Sequence, residues 1–110
     1  MAKTKTVESQ DIQRIVRQIV EASRPQKVLL FGSHAYGVPD AASDVDLLVV
    51  MDTDRPLHTA GLISAAIDHP FPLDILVLRP SDLAEYLKEK SVFATRVMTE
   101  GQVLYEAGDD

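Results

Sequence analysis

Asp44 and Asp46, separated by one residue, stand at the head of an apolar run, Val45 and Leu47 through Met51, and this pairing narrows what the chain can fold into. The run reads as a short buried strand, on which residues two apart project from the same face. Two carboxylates that share a face among apolar neighbours repel each other and resist desolvation. A cation would remove both penalties. Upstream, Gly32-Ser33 follows a second apolar run, Val28 to Phe31, and offers a small-residue turn whose backbone N–H groups could receive an anion.

The remaining elements follow from periodicity. From about Glu8 to Ser23, apolar residues fall at Ile12, Ile15, Val16, Ile19 and Val20, the stripe of an amphipathic helix that Pro25 stops. Lys27 to Phe31 reads as the first strand, Val45 to Met51 as the second, and the Gly-, Pro-, Asp- and Ser-rich stretch between them holds one helical turn after Ser33. Pro56 suits the first turn of a helix running to Asp68, with Leu62, Ile63, Ala66 and Ile67 as its stripe. Leu73 to Leu78 makes a third strand between prolines. Ser81 is expected to cap a helix through about Lys90, a further helix covers Phe93 to Thr99, and Gly101 ends it. Gln102 to Tyr105 adds a short edge strand, and residues 106–110 are expected to be a frayed tail. This alternation predicts an α/β (α+β) fold with a small mixed sheet packed on helices, in one domain over residues 1–110.

Asp74 alternates with Leu73 and Ile75 and so faces the opposite side of the third strand. If the second and third strands are neighbours, Asp74 approaches Asp44 and Asp46 across the sheet. Three carboxylates converging on one face would bind two divalent cations ~3.5–4 Å apart, the separation used in two-metal phosphoryl chemistry. With the Gly32-Ser33 turn beside them, these acids point to metal-dependent phosphoryl or nucleotidyl transfer.

Composition limits the substrate. The formal net charge is −6, and the 11 Lys and Arg residues are scattered, which argues against a surface that grips long nucleic acid. A small nucleotide remains compatible, because a metal can supply positive charge. Cysteine is absent, which removes thiolate metal sites, thiol nucleophiles and disulfides. There is no signal-peptide core and no apolar stretch long enough to span a membrane, so the chain reads as soluble and cytoplasmic.

In Phe31-Gly32-Ser33, Ala35-Tyr36-Gly37 and Ser43-Asp44-Val45-Asp46-Leu47, with Asp74 as a third acid on a later strand, the chain resembles the nucleotidyltransferase superfamily that includes DNA polymerase beta. It is most similar to the minimal, stand-alone branch, and the ending Glu100 to Glu106 also resembles the close of those small domains. The resemblance implies a polymerase-beta-like nucleotidyltransferase fold. It implies that Asp44 and Asp46 ligate two Mg²⁺ ions, with Mn²⁺ as a substitute. Asp74 would complete the site of the metal that activates the attacking hydroxyl, and would help orient that nucleophile. Gly32 and Ser33 would hold the triphosphate of ATP, with His34 near the phosphates. Many minimal members carry Arg in the Ala-x-Gly slot where this chain has Tyr36. The cation that steadies outgoing pyrophosphate must then come from His34 or from a more distant Lys or Arg.

The resemblance further implies an antitoxin of a toxin–antitoxin module, whose partner is a helical HEPN-type ribonuclease. The reaction would be AMPylation, the transfer of AMP from ATP to a partner hydroxyl such as a tyrosine near the ribonuclease site. An acidic antitoxin suits an RNA-binding partner, whose surface is expected to be basic. Two other functions fit the same fold: a non-catalytic module that masks its partner, and the catalytic subunit of a small-molecule transferase of the aminoglycoside type. Assembly into homo- or hetero-oligomers is open at this level.

Overall fold

The computed structural model describes residues 7–39 and 43–108. Its elements, in chain order, are α1 (Ser9–Ser23), β1 (Lys27–Phe31), α2 (Ser33–Tyr36), β2 (Val45–Val50), α3 (Pro56–Ala66), β3 (Leu73–Leu78), α4 (Pro80–Lys88), α5 (Val92–Glu100) and β4 (Gln102–Glu106). The four strands form one sheet in the order β3-β2-β1-β4. β1 is antiparallel to both β2 and β4, whereas β2 and β3 run parallel. Parallel neighbours need a crossover, and α3 supplies it.

The sheet is covered on both faces, which explains why its central strands are apolar at almost every position. Val28 and Leu30 of β1, with Val45, Leu47 and Val49 of β2, pack against Ile12, Ile15, Val16 and Ile19 of α1 and Ile63 of α3. The alternate residues Leu29, Leu48, Val50 and Leu78 pack on Leu83 of α4 and on Ala94 and Val97 of α5. Each strand residue therefore belongs to one of two cores according to its parity.

Most elements match their sequence expectations; the departures have local causes. The α4 helix begins at Pro80, with Arg79 rather than Ser81 as its N-cap. Proline is favoured in a first turn, so Ser81 falls inside the helix. Asp82 instead accepts hydrogen bonds from the Arg79 backbone N–H at 3.3 Å and from its Nε at 2.9 Å. The α3 helix stops at Ala66, and Ile67 turns extended while remaining buried. Leu62, expected in the α3 stripe, is 57% exposed, because the sheet covers only the side that Ile63 and Ile67 share. The chain end is not frayed at Glu106: that residue pairs with Lys27 in the sheet, and the Ala107 N–H donates to the Gln26 carbonyl at 2.9 Å. The last two residues of the expected tail lie outside the described residues.

At the start of α1, Glu8 is the N-cap and Asp11 closes a capping box, its Oδ2 accepting the Glu8 N–H at 2.9 Å. Asp11 is buried and also accepts from Arg14 Nη2 at 2.9 Å. Asp11→Ala is expected to lower the unfolding free energy by about 1–2 kcal/mol, read from urea denaturation, because it strips a cap and a charge-assisted bond together. An unchanged urea midpoint would show that the box contributes nothing.

Candidate active site

The candidate residues gather at one end of the sheet, where β1 finishes and β2, β3 and β4 begin. β2 and β3 are neighbours, and their register sets Asp46 directly beside Asp74. Both residues share the parity of Leu48 and Leu76, so they project from the α4/α5 face of the sheet. Asp44 lies just before β2 and is exposed, and Val45 next to it donates its N–H to the Pro72 carbonyl at 2.9 Å. That bond ties the entrance of β2 to the entrance of β3. The acids are thus carried by the ends of two strands whose interiors are fully apolar.

The electrostatics record this convergence. The Asp46 carboxyl is pushed above its ordinary value of 3.8, first by burial and then by the negative charges of Asp74 and Asp44, while His34 pulls it the other way. Among the described residues, no three His, Cys, Asp or Glu side chains are drawn together tightly enough to form a ready-made metal site. Asp44 and Asp74 are exposed, so their carboxylates are not locked by packing. In kind, the donors fit a hard divalent cation: they are carboxylate oxygens, and one of them carries unrelieved like-charge repulsion.

Gly32 is built against this cluster. Its φ of +75° and ψ of −159° lie where only glycine is comfortable, and a Cβ at this position would overlap the Asp46 Oδ2. The turn therefore lies directly on the carboxylate. Ser33 then opens the four-residue α2, with the Ala35 and Tyr36 N–H groups donating to the Gly32 carbonyl at 3.0 Å. His34 Nε2 faces the Ser43 carbonyl at 3.5 Å, which draws the segment before β2 back toward α2.

Two residues that the sequence did not single out also reach this end, both from α5. Phe93 packs edge-on against Phe31, with ring centroids 5.3 Å apart and planes at 87°. The Arg96 guanidinium lies over the Tyr36 ring, 4.3 Å from its centroid. Nothing local to Phe93 or Arg96 signals this, since it depends on where α5 docks. Elsewhere, a cavity of about 550 Å³ opens at the opposite end of β1, lined in part by Lys27, Leu83, Leu87 and Glu106, and none of Asp44, Asp46 and Asp74 lines it.

One end of a sheet with helices on both faces thus carries an acid on each of two neighbouring strands and a glycine turn seated on one of them. Residues 10–110 match the family described as Polymerase beta, Nucleotidyltransferase, and the chain belongs to that family. No sequence among curated proteins matches it significantly. Among solved structures, it is similar to a candidate nucleotidyltransferase from Sulfolobus solfataricus, with 19% identity and a TM-score of 0.61 over 88% of this chain and 78% of that one. It is also similar to a chain of a toxin–antitoxin assembly with AMP-PNP, at 21% identity and a TM-score of 0.53, over 86% of this chain and 73% of that one. A third likeness is to a toxin–antitoxin MntA–HpeT pair carrying two Asp-to-Glu substitutions separated by one residue, again at 21% identity and a TM-score of 0.53, over 92% of this chain and 75% of that one. At such identities these likenesses concern the fold. Among the described residues, no helix is long and apolar enough to cross a membrane.

Proposed function

We propose that the protein is a metal-dependent nucleotidyltransferase that moves AMP from ATP onto a hydroxyl of a partner protein, as the cytoplasmic antitoxin of a HEPN-type ribonuclease toxin. The observation that carries this reading is the β2–β3 register, which sets Asp46 beside Asp74 while the Gly32 turn rests on Asp46. The AMP-PNP in one structurally similar toxin–antitoxin assembly supports a nucleotide as ligand. The paired Asp-to-Glu substitutions in another have the same one-residue spacing as Asp44 and Asp46.

In this reading Asp44, Asp46 and Asp74 hold Mg²⁺ or Mn²⁺, which supplies charge stabilisation and activation of the attacking oxygen. Gly32 lets the turn close onto Asp46, and Ser33 beside it offers its hydroxyl and N–H to a phosphate. Asp74, exposed at the head of β3, orients the acceptor hydroxyl. The hydroxyl oxygen bonds to the α-phosphorus, the bond from that phosphorus to the β-phosphate oxygen breaks, pyrophosphate departs and the hydroxyl proton goes to solvent.

Thermal melts and intact-mass spectrometry test this reading together. Mg²⁺ with ATP should stabilise the fold more than either alone, and by ~2.7 kcal/mol over the ligand-free protein at 100 Kd. A co-expressed partner toxin should gain one or more AMP masses in the presence of ATP and Mg²⁺. Melts that ignore saturating metal with every nucleotide would remove the active-site reading. Neutralisation of the partner with no change in its mass would instead make the protein a masking module.

A further inference from the structure

Arg96 has no part in the reading above, yet α5 sets it against α2, the short helix that follows Gly32. Tyr36 closes α2, three residues after Ser33, and Arg96 lies over its ring. One turn earlier on the same helix, Phe93 packs against Phe31, the residue before Gly32. Helix α5 is thus fastened on both sides of the Gly32-Ser33 turn. The Arg96 Nε faces Glu100 Oε2 at 3.3 Å, and the two side chains are 53% and 52% exposed. With its central carbon over the ring and its Nε engaged, the guanidinium has terminal nitrogens to offer another acceptor, and a guanidinium fork matches the oxygens of a phosphate. The positive charge acting on Asp46 comes from His34. Arg96 lies instead against Tyr36, at the end of α2 away from Gly32.

We propose that Arg96, shelved on Tyr36, grips the terminal phosphates of a nucleoside triphosphate and makes the site prefer a triphosphate over a monophosphate. The inference rests on the nucleotide-binding reading above. The aromatic shelf orders the guanidinium before ligand arrives, so less side-chain freedom is lost on binding.

Isothermal titration of ATP, AMP and inorganic tripolyphosphate, each with Mg²⁺, into wild type, Arg96→Ala, Arg96→Lys and Tyr36→Leu tests it. Arg96→Ala should weaken ATP and tripolyphosphate by about 10- to 100-fold, the range of a lost hydrogen-bonded charge contact, and leave AMP within about twofold. Tyr36→Leu should show the same selectivity to a smaller degree, because the charge remains and only its shelf is lost. Arg96→Lys should recover part of the ATP affinity, and it stands in for the alanine variant if that fails to fold. If wild type binds ATP and Arg96→Ala binds it equally well, the Arg96 contact is wrong and the nucleotide reading stands. Equal losses for ATP and AMP would make Arg96 a prop for α2, which also overturns the proposal. Wild type that binds none of the three ligands removes the nucleotide reading, and this inference with it.

Discussion

Asp46→Asn is expected to abolish the response to Mg²⁺ and ATP while melting at or above wild type in chelator. The carboxylate is partly buried and faces two acids, and both features hold its pKa above 3.8. For an acid with a raised folded-state pKa, the stability contribution is fully present below the unfolded value. It is lost as the pH climbs through the raised value. Metal-free wild type should therefore lose stability relative to Asp46→Asn as the pH rises through that window, and the two should run parallel above it. Because Asp46 is only partly buried and its neighbours Asp44 and Asp74 are exposed, solvent screens the repulsion and the gain at neutral pH should stay within about 1 kcal/mol. Chemical denaturation of both proteins in chelator from acid to neutral pH measures the difference. Clear destabilisation of the asparagine variant at neutral pH would mean that Asp46 is a structural hydrogen-bonding group rather than a strained ligand. Retained metal and nucleotide response in the variant would remove Asp46 from the site.

Gly32→Ala should damage both the fold and the site. A residue with a side chain placed at φ +75° and ψ −159° pays about 1–3 kcal/mol of backbone strain, and here the added Cβ also overlaps the Asp46 carboxylate. Relief requires either the turn or Asp46 to move, and each shift separates the two halves of the site. The expected result is a loss of at least ~1–3 kcal/mol in urea unfolding, together with loss of the ATP- and Mg²⁺-dependent melting shift. Gly61 provides the contrast. It lies inside α3, and a Cβ there meets nothing within 4 Å, so Gly61→Ala should stabilise by about 0.5–1 kcal/mol and leave ligand response intact. If the two variants behaved alike, the special role of the Gly32 conformation would be refuted.

Much of this protein was written locally. The β1 strand and β3 strand occupy the same residues that their apolar runs between breakers predicted, and the α1 stripe is the face that is buried. Period-two spacing was enough to give Asp46 its side of β2, because side-chain direction on a strand depends only on parity, whereas Asp44 lies just before the strand. The helix caps were less legible: the choice of Arg79 over Ser81 turned on a proline and an aspartate acting together across a single turn.

The order of the strands was different in kind. Asp74 comes 28 residues after Asp46 in the sequence, and only the parallel pairing of β2 with β3 puts them side by side. Spacing along the chain made that approach conditional; burial of both sheet faces, with α3 as the crossover, realised it. The same holds for Glu106, which belongs to the sheet because β1 had an open edge for β4 to fill. It holds most strongly for Arg96, whose place over Tyr36 follows from the docking of Ala94 and Val97 beneath the sheet. What the sequence alone determined was the set of elements and the strand faces of Asp46 and Asp74, since both depend on residues within a turn or two. The tertiary structure alone decided which acids and cations meet, because those meetings arise from closing long loops around two shared cores.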